Sequence, residues 1–229
     1  MSKPLSFALV LLAFCCFLTT SVVWAAPRIE VLVNSNGLLN SVRLTEKTGA
    51  VKVVLWLNQN GIVDSFMVSS KELEIRLQTN GSLQIVALRM SSTKALKYDK
   101  LGRLVQVGGT TLKLDNFGRL VSFAGQKLLY SRQGRLTSLG ALTVVYERSL
   151  YLKSFAGLPA TIDLRSRVTK VGTVALQYDV NSRALKIGLQ SLQYLNNPQL
   201  LKKVQGKDSR FRLRVLWNVP NKCVPFLCR

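Results

Sequence analysis

Histidine is absent from this 229-residue sequence, and its 11 acidic residues are few beside its 32 lysines and arginines. The lack of histidine excludes His-based catalytic triads and histidine metal sites. A phosphate-binding loop is also excluded, because the glycines follow a hairpin period and no helix is predicted after them. We therefore expect a protein that is not an enzyme, with no catalytic residue, no cofactor and no metal site.

The charge balance is strongly positive, with a formal net charge of +21 at pH 7. Such a surface attracts polyanions, and its associations depend on salt. The charge by itself has two interpretations. It keeps a two-sided β-sheet soluble and protects its edges, or it forms a face for anionic polymers.

The first 25 residues have the pattern of a cleaved signal peptide. Lys3 gives a positive start, residues 5–18 are almost wholly apolar, and the predicted cleavage site lies near Ala25. An uncleaved membrane anchor is the alternative, but the apolar stretch is short beside the roughly 20 residues of a bilayer span. We expect an exported protein, periplasmic or extracellular, with no transmembrane span in the mature chain.

Removal of the signal peptide leaves two cysteines, Cys223 and Cys228. In an oxidising compartment they are expected to form a disulfide that closes a small C-terminal loop. A loop this short constrains little unfolded-chain entropy, so the stabilisation should be local and modest. Two thiols without histidine fall short of the four ligands of a structural zinc site.

A 16-residue repeat runs through the centre of the chain, with units beginning at Asp99, Asp115, Ser131, Glu147, Asp163 and Asp179. Several columns stay in step through the units, so repetition sets the fold prediction. A small pair such as Gly108-Gly109 suits a two-residue hairpin turn, and Asp99-x-x-Gly102 suits a type I turn. Each unit should therefore be two short strands in an antiparallel meander.

Strand alternation predicts which side chains of the repeat are buried. Val107, Phe123, Leu128 and Tyr130 are expected to share the core face. The opposite face is expected to be polar, apart from one apolar column that needs partial cover: Leu104, Leu120, Leu136, Leu152 and Val168.

Tyrosine and arginine flank the Asp-x-x-Gly turns. Tyr98 is expected to oppose Arg103, and Tyr130 to oppose Arg135, because they lie at matching distances from the turn. Two roles remain for these arginines. Their stems cover the tyrosine rings, or they form a ladder that binds a ligand.

The chain is expected to have four parts, which are the signal peptide (1–25), N-terminal hairpins with longer strands (26–95), the repeats (96–194) and a C-terminal segment (195–229). Strands are predicted at 51–57 and 72–77. The C-terminal segment is expected to contain a turn, a short helix at 199–204, a basic strand at 210–217 and the cysteine loop.

Residues 98–104 read Tyr-Asp-Lys-Leu-Gly-Arg-Leu and resemble the Tyr-Asp-x-x-Gly-Arg-Leu signature of the YD-repeat, or Rhs, family. Residues 114–120 and 130–136 repeat it with one change each. The resemblance covers about residues 96–194 and implies a β-hairpin repeat in an exported or surface protein. In that family long arrays wrap into hollow shells, whereas this chain has few units and a shorter period.

The predicted fold is all-β, an antiparallel meander of hairpin repeats that forms a curled sheet, a sandwich or an open barrel. The predicted function is structural or adhesive contact with an anionic polysaccharide, glycolipid or other envelope polymer. Specific nucleic-acid recognition is not expected, because the aromatic columns are assigned to the core. The densest basic segment supplies the candidate polyanion contacts: Lys202, Lys203, Lys207, Arg210, Arg212 and Arg214.

Two other functions remain open. The chain is alternatively a periplasmic or secreted carrier of a small ligand, with a pocket beside Phe123, Leu139 and Phe155. It is also interpretable as an accessory fragment of an Rhs-type toxin system.

Overall fold

A computed structural model describes residues 27–89, 96–147, 150–195 and 200–217. Throughout these ranges the chain forms strands and turns and contains no helix, which confirms the predicted all-β fold. No helix in this part of the chain is long and apolar enough to cross a membrane. The predicted signal peptide and the cysteine pair Cys223 and Cys228 lie outside the described residues.

The strands follow one another along the chain and are numbered in that order. The strands of the described residues are β1 (Arg28–Asn34), β2 (Leu39–Thr48), β3 (Val51–Asn58), β4 (Val63–Ser69), β5 (Leu73–Gln78), β6 (Leu83–Leu88), β7 (Leu96–Tyr98), β8 (Leu104–Val107), β9 (Thr110–Leu114), β10 (Leu120–Phe123), β11 (Gln126–Tyr130), β12 (Leu136–Leu139), β13 (Leu142–Tyr146), β14 (Leu152–Phe155), β15 (Leu158–Ile162), β16 (Val168–Val171), β17 (Val174–Tyr178), β18 (Ala184–Ile187), β19 (Gln190–Tyr194), β20 (Leu201–Gln205) and β21 (Phe211–Leu216).

These strands form two sheets. Sheet A has seven strands in the order β21-β1-β2-β3-β4-β5-β6, and sheet B is a 14-stranded meander from β7 to β20. The neighbours that the structure describes are antiparallel, except that β21 runs parallel to β1. The predicted meander of hairpins is thereby confirmed.

Both predicted turn types occur in the repeat. Val107 pairs with Thr110, so Gly108-Gly109 is a two-residue hairpin turn. At the other junction the Gly102 amide donates to the Asp99 carbonyl at 3.0 Å, and Gly102 has a φ of +74°. Glycine adopts this left-handed backbone without the steric cost that a Cβ imposes.

The pairing across the Asp-x-x-Gly turns differs from the prediction. The Asp99 amide donates to the Arg103 carbonyl at 2.9 Å, so these two residues close the turn. Tyr98 therefore pairs with Leu104 and not with Arg103. Likewise Ser131 and Arg135 close the next such turn, so Tyr130 pairs with Leu136 and not with Arg135.

A bulge after each such turn also overturns the prediction for the apolar column. The register shifts between Leu129 and Tyr130, so one additional residue of β12 interrupts the alternation. The interruption turns this column toward the core instead of the opposite face. Four of its members are at most 1% exposed: Leu120, Leu136, Leu152 and Val168.

The two sheets share one hydrophobic core. Leu55 and Phe66 of sheet A belong to the same buried cluster as Phe123 and Phe155 of sheet B. Backbone hydrogen bonds also join the sheets, because amides at the bulges donate to turn carbonyls of sheet A. These bonds are Leu120 to Gly81 (3.0 Å), Leu136 to Thr79 (2.8 Å), Leu152 to Gly61 (3.1 Å) and Ala184 to Gly37 (2.9 Å).

The C-terminal helix prediction is wrong, whereas the strand predictions hold. Leu201–Gln205 is strand β20, paired with β19 through Lys203 and Gln193. As a strand, this segment pairs with β19 at the edge of sheet B and buries Leu201. As a short helix it would be only marginally stable. The strands predicted at 51–57, 72–77 and 210–217 correspond to β3, β5 and β21.

Candidate polyanion-binding surface

The six predicted polyanion contacts are exposed but do not form one patch. Lys202 and Lys203 lie on β20, at the edge of sheet B, and Lys207 lies in the following loop. Arg212 and Arg214 lie on β21, at the edge of sheet A. The chain crosses from one sheet to the other between these two groups.

Arg210 is engaged in an ion pair within that crossing. Its Nη2 lies 2.6 Å from Oδ2 of Asp208, and its Nε lies 2.9 Å from Oδ1. The Asp208 carboxylate also accepts a hydrogen bond from the Leu189 amide at 3.0 Å. Bonding by the Arg210 side chain, more than any other interaction, holds the pKa of Asp208 far below its usual range. Arg210 therefore fastens the crossing loop to sheet B.

Arg212 and Arg214 point to the outer face of sheet A, which is the face turned away from sheet B. Phe211 pairs with Ile29 on the core side, so the next residue, Arg212, lies outside beside Glu30. The same alternation brings basic residues of β1, β2 and β3 to that face. We call the resulting surface the basic face: Arg28, Glu30, Arg43, Thr45, Lys47, Lys52, Arg212 and Arg214.

A cleft of about 690 Å³ opens at one end of the basic face. Its lining includes four cations, Arg28, Lys47, Lys52 and Arg212, and two carboxylates, Glu30 and Glu46, so its charge is positive on balance. Within the described residues none of the four has an acidic group within ion-pair distance. The positive charge of this cleft is therefore available to a ligand.

Glu30 holds the neighbouring arginines in place. Its Oε2 lies 3.3 Å from Nη1 of Arg43, and its Oε1 lies 2.6 Å from Nε of Arg214. The Arg43 guanidinium also stacks on the indole of Trp56, 3.8 Å from the ring centroid. A cation between a carboxylate and an aromatic ring has a fixed position, which favours specific contacts over diffuse attraction.

Three hydrogen-bond donors of this face are buried without a partner in the described structure: Ser41 Oγ, Arg43 Nε and Trp56 Nε1. Arg43 and Trp56 are direct neighbours across β2 and β3, and Ser41 lies on the same face of β2. Unsatisfied buried donors are costly and rare in folded proteins.

Sequence reasoning missed most of the basic face. Arg28, Arg43, Lys47 and Lys52 were not singled out, because they are far from the C-terminal basic segment in sequence. The signal was the alternation Val42-Arg43-Leu44-Thr45 in β2, which indicates one buried and one outward face. Nothing in the sequence showed that β21 joins β1.

The arginines of the repeat turns have structural roles. Arg119 bonds Asp115 through its Nε at 2.7 Å and lies over the ring of Tyr130, the last residue of the same 16-residue unit. Arg167 does the same with Asp163 and Tyr178. The arginine guanidinium groups therefore lie over tyrosine rings, but each of these pairs lies within one unit and not across the turn between two units as expected.

The residues proposed to line a carrier pocket lie in the core. Phe123, Leu139 and Phe155 are at most 2% exposed and belong to the cluster shared by the two sheets. The large cleft on the basic face is on the opposite side of sheet A. The basic face is thus the described surface whose unpaired cations are best suited to an anionic ligand.

No protein-family model matches this sequence, and no curated protein resembles it closely enough to count as a relative.

Proposed function

We propose that this protein is a non-enzymatic, exported β-repeat protein that binds an anionic envelope or extracellular polymer through its basic face. The observation that carries the proposal is the cleft with four cations that lack acidic partners, Arg28, Lys47, Lys52 and Arg212.

An acidic polysaccharide is the polymer class that this surface favours. Carboxylate or sulfate groups along a glycan would meet the lysines and arginines. Single-stranded nucleic acid is disfavoured, because it needs exposed aromatic rings for stacking. Trp56 is unsuited to that role, since its ring is covered by Arg43.

The binding of heparin and alginate to the mature chain, measured by calorimetry at several salt concentrations, tests this proposal. The face variant replaces three cations: Lys47→Gln, Lys52→Gln and Arg212→Gln. A matched control removes the same charge from exposed positions of sheet B: Lys113→Gln, Lys127→Gln and Lys170→Gln. We expect the face variant to bind about tenfold more weakly or worse. Its affinity should also fall less steeply with salt, because the number of counterions released on binding scales with the number of charge contacts made.

The control variant should stay within about threefold of the parent protein. Equal losses in both variants would reduce the effect to net charge and contradict a defined face. Binding that is unchanged between low and high salt would exclude an electrostatic site altogether. A third variant, with Lys202, Lys203 and Lys207 changed to Gln, measures whether the predicted contacts on the sheet B side also take part.

A further inference from the structure

A second surface of the protein has no role in the proposed polymer binding. The Asp-x-x-Gly turns of sheet B lie along one edge, because alternate turns of a meander fall on the same side. The central residues of these turns form what we call the tip row: Lys100, Leu101, Asn116, Phe117, Arg132, Gln133, Leu164, Arg165, Val180 and Asn181.

Large apolar side chains of the tip row project into solvent. Leu101 is 74% exposed, Phe117 85%, Val180 84% and Leu164 fully exposed. Phe117 contacts the guanidinium of Arg119, 5.5 Å from its ring centroid. The apolar character of the other three is not explained by packing, because they are exposed at turn tips. Four such side chains on turns of the same edge make this edge a candidate interaction surface.

The turns present these side chains rigidly. The Asp115 carboxylate accepts hydrogen bonds from the amides of Phe117 and Arg119, each at 2.9 Å, and pairs with the Arg119 side chain. The turns at Asp99, Asp163 and Asp179 are bonded in the same way. Each apolar tip is therefore held outward before any partner arrives.

Basic residues alternate with the apolar tips. Lys100, Arg132 and Arg165 are exposed residues of the tip row. Glu147, which begins another turn on the same edge, is an exposed carboxylate. The aspartates do not offset this charge, because each is paired with the arginine of its own turn, as Asp163 is with Arg167. The free charge of the row is thus positive.

The spacing of the tips favours a lipid surface over a protein partner. Successive turns are separated by two strands, or about 10 Å at about 4.8 Å per strand. Phe117 and Leu164 are three turns apart, so the apolar tips are separate points. A protein interface needs a contiguous apolar core. Separate apolar points between cations suit a lipid interface, where each side chain inserts independently and each cation meets an anionic headgroup.

We propose that the tip row docks the protein onto an anionic lipid bilayer. Leu101, Phe117, Leu164 and Val180 enter the interfacial region, and Lys100, Arg132 and Arg165 contact the headgroup phosphates. This surface is separate from the basic face, so a membrane and a polymer can be bound together.

Vesicle co-sedimentation of the mature chain tests the proposal, with phosphatidylcholine vesicles that contain or lack 30% phosphatidylglycerol. The tip variant carries Leu101→Ser, Phe117→Ser, Leu164→Ser and Val180→Ser. The control variant replaces exposed apolar residues elsewhere on sheet B: Leu129→Ser, Val145→Ser, Leu185→Ser and Leu189→Ser. All eight positions are exposed, so both variants should fold.

We expect the parent protein to bind the anionic vesicles, the tip variant to bind at least tenfold more weakly and the control to stay within threefold. Heparin binding by the tip variant should be unchanged, which separates this proposal from the basic face. Absence of vesicle binding by the parent, or equal losses in tip and control variants, would overturn it. Loss of vesicle binding in the face variant alone would also overturn it. So would self-association that depends on the tip residues and occurs without vesicle binding.

Discussion

The guanidinium of Arg183 lies over the ring of Tyr194, 5.3 Å from its centroid, and the two residues lie near opposite ends of one 16-residue repeat. Arg119 and Tyr130 are related in the same way. The tyrosine hydroxyl then donates back to the strand that follows the arginine, as Tyr194 does to Ala184. One tyrosine thus joins the last strand of each such repeat to its first turn and first strand, and stability should depend on these contacts within the repeat.

The tyrosine hydroxyls give a matched pair of substitutions. The Tyr178 hydroxyl donates to the Val168 carbonyl at 2.6 Å, whereas the Tyr146 hydroxyl is buried with no partner in the described structure. Tyr178→Phe should lower the free energy of unfolding by about 1 kcal/mol, because it orphans a carbonyl. Tyr146→Phe should change it by less than about 0.5 kcal/mol or stabilise the protein. Urea denaturation measures both, and equal losses would contradict this assignment.

The turn aspartates predict a loss of stability in acid. Hydrogen bonding to the Arg103 amide is the main cause of the lowered pKa of Asp99. At Asp115, Asp163 and Asp179 burial opposes ionisation, but bonds from the arginine of the same turn outweigh it and lower the pKa. A pKa that is lower in the folded state gives stability that is present above about pH 4 and is lost as pH falls through the folded pKa.

Unfolding in urea at pH 7, 4.5 and 3 tests this prediction. The parent protein should keep its stability to about pH 4.5 and lose it toward pH 3. A variant with all four aspartates changed to Asn should be less stable at pH 7 and should vary less with pH. A parent protein as stable at pH 3 as at pH 7 would contradict the assignment.

Two turn glycines with similar backbones should respond differently to alanine. Gly102 has a φ of +74° and open space around an added Cβ, so Gly102→Ala should cost only the left-handed strain, about 1 kcal/mol. Gly37 has a φ of +80°, and a Cβ there would lie 2.2 Å from the Tyr194 hydroxyl oxygen. Gly37→Ala should cost about 1–3 kcal/mol more, because Tyr194 must move. Equal thermal shifts for the two variants would argue against this docking of sheet A turns on sheet B.

The bulged column provides a test of the core. Leu136 is fully buried, whereas Leu101 is 74% exposed at a turn tip. Leu136→Ala should lower the free energy of unfolding by about 2–5 kcal/mol, and Leu101→Ala should change it by less than about 0.5 kcal/mol. Chemical denaturation distinguishes them, and a small effect at Leu136 would restore the original prediction of a partly covered outer column.

The repeat made much of the fold predictable. Gly108-Gly109 and Asp99 to Gly102 carry turn chemistry that is local, so both turn types and the meander followed from neighbouring residues. The alternation in Val51–Asn58 likewise predicted a strand with one buried face. The fixed residues of the Tyr-Asp-x-x-Gly-Arg-Leu pattern in this stretch, Asp99, Gly102, Arg103 and Leu104, each have a local role in the turn or the bulge.

The errors arose where distant residues decide the structure. The burial of Leu120 depends on a bulge whose freed amide donates to the Gly81 carbonyl of the other sheet, and no local pattern indicates that partner. The basic face likewise exists only because Arg212 pairs beside Glu30. The sequence predicted a positive surface and two of its arginines, Arg212 and Arg214. The basic residues of β2 and β3 come beside them only through long-range strand pairing.

The parallel seam between β1 and β21 joins the first and last strands that the structure describes, over six residue pairs. A chain that emerges amino end first must therefore keep the outer edge of β1 unpaired until its carboxyl region arrives. Such late closure slows folding and leaves an edge to which another nascent chain can add. A chain that ends before Phe211 lacks β21, so β1 would remain an open edge of sheet A.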